Sequence, residues 1–143
     1  MDWRFLAVVA AASVIASFTD WLFMGVLFHE KYLHAPEIWR THPQLSGTRR
    51  IVYSQVLGVV TCAAYLYLCL ALDALTIPSA MLVALMVWLA GVVVVLGQMV
   101  MWMKLHPLIG LSHALGWLTR LVITGLLAVL IMGHAVSLAP TPI

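Results

Sequence analysis

The chain has 143 residues, 64% of them hydrophobic and 8% charged, with a mean hydropathy of +1.09 and a net charge of +2. Soluble domains carry about 25% charged residues, so a soluble fold of this length is excluded and lipid must be the solvent. The small net charge, with its basic residues in loops rather than in a stripe, argues against a nucleic-acid partner.

The first apolar run extends from about Trp3 to Phe28. It opens like a secretory leader, with a basic residue and small side chains, but it stays apolar through Trp21 and Phe28. That length exceeds the ~20 residues needed to cross a bilayer core, so it reads as a retained transmembrane helix. A polar segment, residues 29–50, follows and is the only long polar connection. Pro36 and Pro43 punctuate it. Trp39 beside Arg40 suits the headgroup layer. Further spans are expected over about Ile51 to Leu72, Ala80 to Met103 and His113 to His134, with a turn at Pro78 and a short loop from Lys104 to Ser112. The expected fold is an all-α, integral membrane four-helix bundle forming a single domain.

Four spans put both termini on one side. Lys31, Arg40, Arg49, Arg50 and Lys104 fall on the other, with Arg120 just inside the last helix and only Arg4 opposing them. The positive-inside rule places the loops in the cytoplasm and both termini outside, as in a bacterial inner membrane protein. Cys62 and Cys69 are about two helical turns apart, too far for a disulfide within one helix.

Asp20 is the most informative single residue. It lies roughly 13 Å below the boundary at His29, and an ionisable group at that depth marks a function or a partner. Arg120, about 10 Å beyond His113, is the natural partner. Gln98, about 9 Å before Lys104, falls in the same layer. Ser13, Ser17, Asp20 and Met24 share one helical face, and His113, Trp117, Arg120 and Thr124 share another. Three readings remain open: an ion pair that only fixes helix register, a polar pocket open to one leaflet and walled by the first, third and fourth spans, or a solitary Asp20 with Arg120 snorkelling to the surface. In the second reading Asp20, Arg120 and His29 carry acid–base chemistry. Gln98, His113, Trp117, Met24 and Trp21 then contact a small lipophilic ligand.

Five of the six histidines (His29, His34, His42, His106 and His113) lie toward the cytoplasmic side. Interfaces tolerate histidine, so the grouping need not be a site. As a site it would offer a divalent metal His29, His34 and His106, or give haem an axial ligand. No HExxH or CxxC spacing is present, and no cofactor is required. The segment 29–50 could instead dock the chain as an accessory subunit of a larger membrane complex. A transporter or proton path is disfavoured because the ionisable groups gather at one side. A bundle this small also suggests a homo-oligomer.

The run Asp20-Trp21-Leu22-Phe23-Met24-Gly25-Val26-Leu27-Phe28, followed by Trp39 and by His113 at the head of the last span, resembles a bacterial family of four-span membrane proteins known as a domain of unknown function. The resemblance extends over nearly the whole chain. It implies the four-helix architecture and no catalytic residues, since that family has no established activity.

Overall fold

The computed structural model describes residues 2–34 and 47–133. It is all-α, a four-helix bundle. Helix α1 (Trp3–Trp21) continues into a π-helical segment (Leu22–Leu27), and a short helix α2 (His29–Leu33) follows. Helix α3 (Gly47–Ala71) is the second span. Helices α4 (Ile77–Val87) and α5 (Val94–Trp102), joined through π-helical Trp88–Val93, form the third, and α6 (Pro107–Ala128), continuing as π-helical Val129–Gly133, forms the fourth. The spans Trp3–Leu27, Thr48–Ala71, Ile77–Trp102 and Pro107–Gly133 are each long and apolar enough to cross a bilayer. The chain is a multi-pass membrane protein.

The helix ends follow from local chemistry. Asp2 caps α1 by accepting from the Arg4 amide at 3.1 Å. Helix α3 stops in a left-handed turn at Asp73 (φ 52°). There the Ala74 amide donates to Cys69 O and the Asp73 amide to Leu70 O, which is the Schellman pattern. Thr76 and Ser79 then form a reciprocal capping box, with Pro78 in the first turn of α4. The fourth span begins at Pro107 rather than at His113. His106 occupies the N-cap, its Nδ1 accepting from the Leu108 amide at 3.2 Å, and Pro107 needs no partner for its missing N–H. His113 therefore sits almost two turns inside the helix.

The packing is centred on α6. Of its most apolar stretch 39% is buried, against 11% for the third span, so the fourth span is the core of the bundle and the third is peripheral. One cluster joins Val8, Val9 and Ala12 of α1 to Cys62 and Leu66 of α3 and Ala128 of α6. A second joins Tyr65 and Cys69 to Ala74, Ala84 and Leu121. Both cysteines are free and buried. A buried and a partly buried polar group are satisfied on carbonyls of neighbouring helices: Tyr65 Oη donates to Ala80 O at 2.6 Å, and Trp88 Nε1 to Ala114 O at 2.7 Å. In lipid such bonds hold helices together where hydrophobic burial provides little net drive.

Candidate functional site

A cavity of about 200 Å³ opens between the first, second and fourth spans. Its wall holds Asp20 and Met24 from the first span, Ser54 and Gly58 from the second, and His113, Trp117 and Arg120 from the fourth. Five residues singled out in the sequence thus meet in one place: Asp20, Arg120, His113, Trp117 and Met24.

Asp20 and Arg120 form a direct ion pair, with Arg120 Nη2 donating to Asp20 Oδ2. The arginine side chain is 8% exposed and the aspartate 21%. The cavity therefore reaches the pair mainly from the aspartate side. The pair fits because two glycines make room for it. The Arg120 guanidinium lies across Gly58, where any Cβ would collide with it. A Cβ at Gly116 would come within 2.8 Å of Asp20 Oδ1. Arg120 Nη1 has no hydrogen-bond partner among the described residues, so the guanidinium enters the core with part of its donor capacity unmet. Just past Asp20, the π-helical stretch Leu22–Leu27 locally widens the first span, a distortion that recurs near functional positions.

Other expectations from the sequence fall differently. Gln98 is exposed, while its neighbours Leu96, Met99 and Val100 are partly buried. Its depth suits the polar layer but its side of the helix does not, because α5 turns Val100 toward α6, where it lies against Gly110. The third wall of the cavity is consequently the second span, not the third. Trp21 is 65% exposed and its ring lies along its own helix over Gly25. His29 is exposed on α2, outside the cavity, and His34 is exposed as well. His106 serves as a helix cap. Among the described residues, no three His, Cys, Asp or Glu side chains converge as a metal would require. His42 and the rest of residues 35–46, which hold most of the suggested docking loop, lie outside the described residues, as does His134.

Tyr32 was not singled out in the sequence. Its hydroxyl lies 2.7 Å from Ser112 Oγ and 3.2 Å from His113 Nε2, and the two rings meet edge-on with centroids 6.0 Å apart. Ser112 Oγ donates onward to Ile109 O at 3.0 Å. Helix α2 is thereby fastened to the fourth span at the histidine that lines the cavity. A tyrosine at a membrane interface is commonplace, so nothing in the sequence distinguished it. Gly58 does carry a signal in the sequence, a small residue near Ser54 and Gln55 within an apolar span, where small residues let helices approach closely.

Burial raises the Tyr32 pKa above its usual value of 10.0, and the Ser112 hydrogen bond offsets part of the rise. The neutral phenol is the form that docks. Docking of α2 is therefore complete below pH 10 and is expected to weaken as pH rises through the elevated value. Tyr32→Phe is expected to loosen the same contact at neutral pH, raising amide hydrogen exchange over His29–Leu33 severalfold. Unchanged exchange would show that other contacts hold α2.

Compared with family models, curated proteins and solved structures, the chain matches none.

Proposed function

We propose that this cavity binds the polar end of a small lipophilic molecule and acts on it, if it acts chemically, by proton transfer. The observation carrying this reading is the composition of the wall: a carboxylate, a guanidinium and an imidazole around open space between three spans. Burying ionisable groups in a bilayer is costly, and such residues by default serve a site or a partner. In this reading Asp20 takes a proton from the ligand and returns it, Arg120 is its counter-charge, and His113 faces the ligand while touching Tyr32 at the rim. The excess of basic residues beside that rim supports a cytoplasm-facing opening in a bacterial inner membrane, with both termini outside.

The test is solvent extraction of protein purified from its own membrane, followed by mass spectrometry. One lipophilic species is expected in near-stoichiometric amount from the wild type. Its yield should fall by about tenfold or more in Asp20→Asn/Arg120→Gln, where both charges are removed together. Equal trace amounts from both proteins would remove the basis for a ligand site.

A further inference from the structure

A second, larger recess adjoins the polar cavity. It is a groove of about 560 Å³ between the second and third spans, floored by Trp117 and Leu121 of the fourth. Its size falls within the ~300–1,000 Å³ of small-molecule sites. The wall on α3 runs from Val60 to Leu68, about 12 Å along the helix axis at 1.5 Å per residue. The groove and the polar cavity share one wall residue, Trp117, and draw on successive turns of α3: Ser54 to Gly58 for the cavity, Val60 onward for the groove.

The groove's chemistry identifies its occupant. Two hydroxyls border it, and both already donate within the protein, Thr61 Oγ1 to Leu57 O at 2.9 Å and Tyr65 Oη to Ala80 O at 2.6 Å. The rest of the wall is aliphatic, apart from the indole of Trp117. Apart from the indole N–H of Trp117, the residue shared with the polar cavity, an occupant finds no hydrogen-bond donor left to satisfy, so along the groove it is a hydrocarbon. The polar cavity specifies the other end of the same molecule. Its one carboxylate and one guanidinium already neutralise each other, so a charged head would enter without a counter-charge, which is expensive away from water. A neutral head that both donates and accepts hydrogen bonds meets no such cost.

We infer that the ligand is a neutral single-chain amphipath, its hydroxyl- or amide-type head in the Asp20–Arg120–His113 cavity and its hydrocarbon chain passing Trp117 into the groove between the second and third spans. This rests on the polar cavity being a ligand site, and the experiment separates the two ideas. Gly91 lines the groove, and a Cβ built there meets nothing within 4 Å. A side chain there starts in open space, and Gly91→Trp is expected to fill the groove. Competition by hexadecanol and by hexanol would be measured against a photoreactive, diazirine-bearing long-chain alcohol, with the protein in lipid nanodiscs and crosslinks mapped by mass spectrometry.

For the wild type, hexadecanol is expected to compete about tenfold better than hexanol, with the chain-end label on the segments Val60–Leu68 and Val87–Leu96. In Gly91→Trp the advantage of the long chain should vanish while hexanol competition is unchanged. If both alcohols compete equally in the wild type, or Gly91→Trp leaves the long-chain advantage intact, the chain does not use the groove and this inference fails, although the head site stands. If groove labelling persists undiminished in Asp20→Asn/Arg120→Gln, the groove takes bulk lipid and the inference also fails. If neither alcohol competes, the cavity reading falls with it. A change of oligomeric state in Gly91→Trp would make the groove a helix-docking face and overturn the proposal.

Discussion

Asp20→Asn is expected to destabilise the bundle by about 3–5 kcal/mol, the typical cost of removing one member of a buried ion pair. The physical reason lies with the residue left behind. Arg120 is 6% exposed and already has one nitrogen without a partner among the described residues. Without the carboxylate it must either hold an uncompensated charge among apolar helices or withdraw from its seat on Gly58, which opens the contact between α3 and α6. Asp20→Asn/Arg120→Gln removes both charges and should recover most of that loss, because replacing a buried pair by neutral groups of similar shape is often close to neutral. Unfolding by sodium dodecyl sulfate in mixed micelles reads both quantities. The ligand reading adds a second requirement: the double variant should be folded and still fail to retain the lipophile. If the double variant is both stable and fully loaded, the charges serve helix register alone. If the single variant unfolds no more readily than the wild type, the pair contributes little to the fold and Arg120 reaches water by another route.

What the sequence discloses about this site follows from how each residue stands out. Asp20 and Arg120 are legible because an ionisable side chain inside an apolar run is costly, and because depth along a helix can be counted from its ends. Their pairing needs only that the two depths agree. The facing stripes on the first and last spans are legible for a similar reason. Ser13 and Thr124 prove buried, and Ser17 turns toward Gln55 of the second span. Rotation of a span about its axis is harder to read, since a helix that is apolar all round has no face that composition can orient. Depth alone therefore assigns Gln98 to the pocket, and it proves to lie on the wrong side. The same ambiguity hid the second span, whose contribution is a glycine, Gly58, and a hydroxyl, Ser54. Glycine signals close approach but does not say what approaches. Tyr32 was invisible because its partners, Ser112 and His113, lie eighty residues away or more in the chain, and only the fold brings them together.

Gly58→Ala sharpens that last point, because it adds one methyl group and is expected to cost about 3 kcal/mol. Overpacking a tight contact costs about 1–3 kcal/mol by itself. Here the colliding group is the guanidinium of Arg120. The far end of an arginine ordinarily swings aside cheaply, but this one is held by Asp20 and enclosed by three helices, so yielding means weakening the ion pair as well. Gly97→Ala is the natural control. Its Cβ meets nothing within 4 Å, and exchanging a helical glycine for alanine there should stabilise by about 0.5–1 kcal/mol. The two substitutions are chemically identical and should differ in sign. A third measurement fixes the cause. In Asp20→Asn/Arg120→Gln the shorter glutamine ends before Gly58, so the cost of adding Gly58→Ala should fall by about 1 kcal/mol or more, a coupling expected only between groups in contact. Should the cost persist undiminished, the methyl would be obstructing the approach of one helix backbone to another, and Gly58 would be a packing glycine in the ordinary membrane sense. The predicted coupling instead makes it the seat of the arginine, and so part of the wall that the polar cavity is built on.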